Sequence, residues 1–310
     1  MKSKYYYYLY FFSLLVVFSC DNQKKKIELP NPFFKISLAQ WSLNKMVKNG
    51  ANPLDFPKEA KDLGFNAVEL VSELYSKKIK EIGFDNTIDS IGINLSKNQV
   101  KCLLIMIDEE GDLAHPDEKV RDNAVERHKK WVDAAAKLGC HSIRVNTNGT
   151  AIEDLWLTAA EDGLGKLSKY AATKNINVLV ENHGGFSSDP EKLMHVINTL
   201  NMTNCGTLPD FGNWCIKWDK KTKKCVVEYK DYYKGIEIMM PAAKAVSAKS
   251  YNFDKNGNET KIDYVKMLQI IKDSGYNGYI GIEYEGEEIG EKEGVIATRN
   301  LLLNAAKRLN

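Results

Sequence analysis

No stretch of the sequence reaches the roughly 20 consecutive apolar residues that a membrane-spanning helix needs. The longest, Tyr5 to Phe18, has only about 14. Outside the first 26 residues there is no Pro/Gly/Ser-rich linker and no low-complexity run, so nothing divides the chain into separate domains. Neither sign of charge dominates: 43 basic residues face 41 acidic ones, and they are spread along the chain. That balance excludes nucleic acid as the principal partner. CxxC and Cys/His zinc spacings are missing, which excludes a structural zinc site. No GxGxxG turn follows the first apolar strand, which argues against a dinucleotide-binding sheet. Of the six cysteines one is Cys20, and the other five cannot all pair. Cys102 and Cys140 adjoin apolar runs and read as buried. Cys205, Cys215 and Cys225 lie near enough in sequence for a disulfide in an oxidising compartment.

The N-terminal segment has the composition of an export signal. Lys2 and Lys4 give a positive start, an apolar stretch follows, and Ser19-Cys20 places a small residue before cysteine. Val17-Phe-Ser-Cys20 resembles the lipobox of bacterial lipoproteins, with a plain cleaved signal as the alternative. The resemblance implies cleavage after residue 19, a lipid on Cys20 as a membrane anchor, and a polar tether over 20–34. An exported, membrane-anchored protein facing the periplasm is the corresponding expectation.

The remainder, 35–308, alternates between two periodicities. Eight apolar, β-rich runs begin near Lys35, Asn66, Lys101, His141, Asn177, Gly206, Ala245 and Tyr279. Helical stretches fall near 54–63, 78–92, 117–138, 152–173, 189–199, 229–239, 261–274 and 290–308. Three helix-to-strand junctions repeat one pattern, with Gly64, Gly139 and Gly275 where a helix end needs the left-handed conformation. The pattern predicts a single-domain (β/α)8 TIM barrel of the α/β class.

Such a barrel builds its active site from the carboxyl ends of its strands. Those ends carry Gln40 and Trp41, Glu69 and Glu73, Asp108 and Glu109, Arg144 and Asn146, Glu181 and His183, Asp210 and Asn213, Lys249, and Glu283 and Glu285. Glu181, Asp210 and Glu283 occupy equivalent ends of the fifth, sixth and eighth strands. Carboxylates converging in a partly dry cavity repel one another, and a divalent cation relieves the repulsion. Oxygen donors with one nitrogen at most suit Mg²⁺, Mn²⁺ or a similar ion.

Glu181-Asn-His-Gly-Gly, Leu208-Pro-Asp-Phe-Gly-Asn and Gly281-Ile-Glu-Tyr-Glu-Gly resemble the strand-end motifs of the xylose isomerase-like TIM barrels, the superfamily of sugar phosphate isomerases and epimerases. The resemblance implies a divalent metal (Mn, Mg, Co or Zn) on Glu181, Asp210 and Glu283. It also implies proton transfer beside a substrate carbonyl by Glu181 and Glu283. The sequence departs from the pattern twice. Ser247 stands where the metal-binding imidazole is expected, and Asn213 where many epimerases have histidine. His183, two residues beyond Glu181 and so on the same side of the strand, is available as a ligand or an acid/base. Lys249 is a candidate for steadying substrate oxygens, and Trp41, Glu69, Arg144, Asn146 and Asn213 are candidates for binding substrate.

Plainer roles compete with these. Glu181 can serve as the ion-pair partner of Arg144, Asp210 as a turn residue before Phe211-Gly212, and Lys249 as a surface lysine. His128 and His195 fall in helical stretches, and Glu109 and Glu110 in a polar loop. Trp41, Trp214 and Trp218 form either a wall for a sugar face or part of the core.

The function expected is a metal-dependent sugar isomerase or epimerase working through an enediolate. No glycine-rich phosphate loop opens a helix, so a free sugar or sugar derivative suits the chain better than a sugar phosphate. A lyase acting on 3-keto-glycosides by the same enolate chemistry is the alternative, and a noncatalytic sugar-binding lipoprotein is a second. A metal-dependent endonuclease for abasic DNA fits poorly without several histidines and a basic groove.

Overall fold

The expected alternation of strand and helix is present in the computed structural model, which describes residues 32–219 and 221–309. The export segment, Cys20 and most of the 20–34 tether lie outside the described residues. Among the described residues ten strands occur in chain order: β1 Lys35–Ala39, β2 Ala67–Val71, β3 Lys101–Ile107, β4 Ser142–Val145, β5 Asn177–Glu181, β6 Cys205–Leu208, β7 Cys215–Trp218, β8 Cys225–Glu228, β9 Val246–Ser250 and β10 Tyr279–Tyr284. Eight of them form one parallel sheet in the order β6-β5-β4-β3-β2-β1-β10-β9. Parallel bridges Thr207–Ala243 and Asp210–Ser247 join its two outer strands, curling the sheet round on itself as a TIM barrel.

Period two decides what each strand shows to either side. Val68, Leu70, Ile105, Ile107, Val178 and Val180 pack outward in one large core. Val71, Leu104, Met106, Leu179 and Leu208 form a second, inner cluster. Arg144, Glu181, Ser247, Lys249 and Glu283 alternate with outward-packed neighbours, so they lie on the inner side, near the carboxyl ends of their strands. A barrel lumen with charges at one end and aliphatic side chains further along is therefore a consequence of register.

The helices are α1 Asn44–Lys48, α2 Phe56–Asp62, α3 Ser76–Ile82, α4 Phe84–Asn98, α5 Glu118–Lys137, α6 Glu153–Ala172, α7 Pro190–Leu200, α8 Tyr232–Met239, α9 Tyr264–Asp273 and α10 Glu291–Lys307. Aspartate opens four of them: Asp117, Asp189, Asp231 and Asp263 accept from the free amides of α5, α7, α8 and α9. Gly64, Gly139 and Gly275 have φ of 86°, 73° and 78°, the left-handed ends expected at those junctions.

Three local differences from the sequence reading have identifiable causes. Gly83, at φ 88°, divides the helix expected at 78–92 into α3 and α4. Gln40 and Trp41 leave the first strand for a short 3-10 turn, because the Gln40 amide turns inward to the Val71 backbone and the Tyr75 hydroxyl. The segment between Asn213 and residue 229 holds an antiparallel hairpin, β7 with β8, tied by a Cys215–Cys225 disulfide. Cys102, Cys140 and Cys205 are free and buried. No helix among the described residues is long and apolar enough to cross a membrane.

Candidate active site

Glu181 ends β5, and its carboxylate is held from two directions. Asn213 Nδ2 donates to Oε1 at 2.9 Å, and Arg144 Nε lies 2.8 Å from Oε2. The second contact is an ion pair without hydrogen-bond alignment, so Oε2 is left with no hydrogen-bond donor although it is buried. Arg144, from β4, also donates through Nη1 to Asp108 Oδ1 at 2.5 Å. Asn146 Nδ2 donates to the same oxygen at 2.9 Å. Burial pushes the Glu181 carboxyl up to about 7, repulsion from Glu283 adds to this, and Arg144 opposes it.

Asp210 sits just beyond β6, fully buried. Its backbone is locked by Asn182, whose Oδ1 accepts from Asp210 N at 2.7 Å and whose Nδ2 donates to the Asp210 carbonyl at 3.0 Å. Glu283, on β10, accepts from Lys249 Nζ at 3.0 Å. Between the two carboxylates stands the Ser247 hydroxyl, 2.5 Å from Asp210 Oδ2 and 3.1 Å from Glu283 Oε2. Burial raises Asp210 to about 7 against the pull of Lys249. Burial also works on Glu283, but Lys249 and Arg144 outweigh it and hold that carboxyl below its ordinary value.

Glu181, Asp210 and Glu283 each offer an oxygen within 4.8 Å of the others, all three residues being buried. Converging oxygens, one of them lacking any donor, fit a hard divalent cation that takes oxygen ligands. Ser247 supplies a hydroxyl where the resemblance leads one to expect an imidazole, and among the described residues the group within 4.8 Å holds these three carboxylates without a histidine.

Above these carboxylates opens a cavity of about 490 Å³. Glu283 reaches it from below, Arg144, Asn146 and Asp108 from one side, and Asn213, His183 and Trp41 also line it. His183 is solvent-exposed yet enclosed by the walls of the concavity. Crowding by protein, then the charges of Arg144 and Lys249, keep its imidazole below the ordinary value and hence neutral near pH 7.

One of the sequence-selected residues lies elsewhere than expected. Glu69 does not line the cavity: it turns into the barrel interior, where Ser37 donates to its Oε1 at 2.6 Å. Lys249 is 1% exposed, which rules out the surface-lysine reading, and its ammonium is engaged by Glu283 and Glu285, each at 3.0 Å. Trp214 is core, stacked on Tyr232 with centroids 5.6 Å apart, while Trp218 is exposed on the hairpin. His128 is buried in α5 with Nδ1 2.7 Å from the Ala124 carbonyl, and His195 is exposed. Glu110 is not simply solvated: it accepts from Trp131 Nε1 at 2.7 Å and pairs with Lys130.

Sequence reasoning missed Asn182, Asn148 and the bridging role of Ser247. Asn182 was findable: it falls between Glu181 and His183, so the strand period turns it to the face opposite theirs.

Comparison with known proteins agrees with this fold. The fold matches the apo crystal structure of 3-keto-D-glucoside 4-epimerase from E. coli, with a TM-score of 0.65, 15% identity, and coverage of 86% of this chain and 98% of that one. It also matches a xylose isomerase-like TIM barrel protein from Mycobacterium smegmatis in complex with magnesium, with a TM-score of 0.63, 14% identity, and coverage of 89% and 97%. Over 58 residues the chain is 36% identical to the C-glycoside deglycosidase alpha subunit of Arthrobacter globiformis, a match spanning 18% of this chain and 16% of that protein. Residues 57–305 match the xylose isomerase-like TIM barrel family, and the chain belongs to that family.

Proposed function

We propose that this protein isomerises or epimerises a free sugar or sugar derivative by moving a proton beside its carbonyl. The observation that carries the reading is the convergence of Glu181, Asp210 and Glu283 within 4.8 Å beneath a polar cavity. These three carboxylates would hold a divalent cation, which supplies polarisation of the substrate carbonyl and stabilises negative charge on its oxygen.

The chain's own groups account for the proton. Glu283 is kept ionised by Lys249 and Arg144, and it reaches the cavity, so it accepts the proton beside the carbonyl. His183, neutral and on the cavity wall, is the second group able to exchange a proton there. Arg144 and Asn146 present donors to substrate hydroxyls, and Trp41 offers an aromatic face. Return of the proton to the neighbouring carbon gives isomerisation, and return to the opposite face gives epimerisation. Where a leaving group lies β to the acidic carbon, the same enolate expels it. That lyase outcome is a second reading, favoured by the partial likeness to a C-glycoside deglycosidase subunit. Anchoring through a lipid on Cys20 is proposed on Val17-Phe-Ser-Cys20 alone; Cys20→Ala moving the protein from membrane to soluble fractions would support it, and an unchanged distribution would remove it.

The test is incubation of the purified protein in D₂O with aldoses, ketoses and 3-keto-glycosides, followed by NMR. Deuterium entering beside the carbonyl, lost on chelation and in Glu283→Gln, is the expected result. Exchange that survives Glu283→Gln would remove Glu283 as the base, and no exchange with any sugar would overturn the reading.

A further inference from the structure

A second cavity, of about 470 Å³, lies beside the polar one, and the two share Asn148. Its chemistry is different. Trp156, Phe186, Ile216 and Val227 line it, and among the described residues no carboxylate lines it and Lys217 is its one charged side chain. The Trp156 and Phe186 rings meet at 5.5 Å, tilted by 54°. Trp156 is 1% exposed with Nε1 satisfied by the Thr147 carbonyl at 2.7 Å, so its ring backs Phe186, the half-buried aromatic ring of this cavity. The wall formed by Ile216 and Val227 belongs to the β7–β8 hairpin, which the Cys215–Cys225 disulfide ties together. Of the lining side chains, Val227 is 46% exposed.

A small free sugar has no apolar end and would leave this space to water. A sugar carrying a flat apolar substituent would fill both cavities, with polar groups at one end and aromatic contacts at the other. We propose that the cavity between the β4–α6 loop and the β7–β8 hairpin is a subsite for an aryl substituent, so that the substrates are aryl-bearing sugars such as aryl glycosides. The proposal rests on the reading that the polar cavity takes the sugar.

The experiment is calorimetric titration of the purified protein with phenyl and methyl β-D-glucoside, which lack a ketone and report binding without turnover, and with phenol alone. Burying the phenyl ring should make the phenyl glucoside bind about 10-fold or more tighter than the methyl one. Ile216→Asp should bring that ratio close to one, whereas Val226→Ser, on the hairpin but outside the cavity lining, should keep it. Equal affinities in the unmodified protein, or a ratio indifferent to Ile216→Asp, would overturn the subsite and leave the sugar reading standing. Phenol binding that depends on Ile216, with no binding of the methyl glucoside, would keep the apolar site and sink the sugar reading instead. Absence of binding by all three would overturn both.

Discussion

The Ser247 hydroxyl stands 2.5 Å from Asp210 Oδ2 and 3.1 Å from Glu283 Oε2, so one proton is placed between two buried carboxylates. A hydroxyl donates to only one acceptor at a time. Burial raises Asp210 to about 7, repulsion from Glu181 and Glu283 adds to this, and Lys249 and the Ser247 hydrogen bond oppose it. A cation bound at these oxygens would relieve that repulsion; Asp210 also holds the turn after β6, its Oδ1 accepting from Gly212 N at 2.8 Å.

Asp210→Asn should therefore weaken Mn²⁺ binding by at least about 100-fold while the barrel stays folded, since even residues outside the ligand set cost 10- to 100-fold. Titration calorimetry of the chelator-treated protein measures this. An unchanged affinity would take Asp210 out of the ligand set.

Arg144 is the only guanidinium contacting both Asp108 and Glu181 among the described residues. Replacing it by Met keeps the bulk but leaves buried Glu181 without its cation, and about 3–5 kcal/mol of stability should be lost. Denaturant unfolding reads the difference. A loss well under 1 kcal/mol would mean that the two carboxylates protonate or rotate away at little cost.

The parts of this site that were legible in the sequence are those that period and position dictate. Glu181, Asp210 and Glu283 each close an apolar run, so the barrel reading alone aims them at one end of the lumen. Glu69 closes the same kind of run, yet it is not the last residue of β2: Leu70 and Val71 follow, and it lies deeper, beside Ser37. One or two residues of strand length separate a cavity residue from an interior one, and sequence does not resolve that margin. Lys249 has the right height, but its partners Glu283 and Glu285 come from another strand, and pairing across strands is set by register. The hairpin escaped notice because Cys215–Trp218 and Cys225–Glu228 are four residues each, largely exposed, and held by a disulfide rather than by core burial.

Gly281 packs against the Glu69 carboxyl. A Cβ there would stand 2.5 Å from Oε1 and 2.6 Å from Oε2 of this buried acid, so the carboxyl must shift within the core to admit it. Gly281→Ala should cost about 1–3 kcal/mol, the usual penalty for overpacking a core. Shortening the acid in the same protein, with Glu69→Ser, should recover part of it. Additive losses in that double-mutant cycle would show that the two residues do not interfere.

Glu69 also sets a pH dependence of stability. It is fully buried, its Oε2 has no hydrogen-bond partner, and burial raises the carboxyl from 4.5 to about 7. Below pH 4.5 the acid is protonated in folded and unfolded chains alike, and its favourable share is fully present. Between about 4.5 and 7 the unfolded chain releases its proton and the folded one does not, so stability falls as pH rises; above 7 the loss is complete and the curve is flat. For a difference of this size the loss approaches about 3 kcal/mol. Asp210 and Glu181 are raised as well, so the unmodified protein shows a summed slope, and the contribution of Glu69 is the difference from Glu69→Gln. That variant keeps the acceptor for Ser37 but cannot ionise. Unfolding free energies from pH 4 to 8 should show Glu69→Gln with the shallower decline, its advantage over the unmodified protein growing through pH 5–7. Parallel curves would mean that water or a local shift keeps Glu69 near its ordinary value in the folded chain.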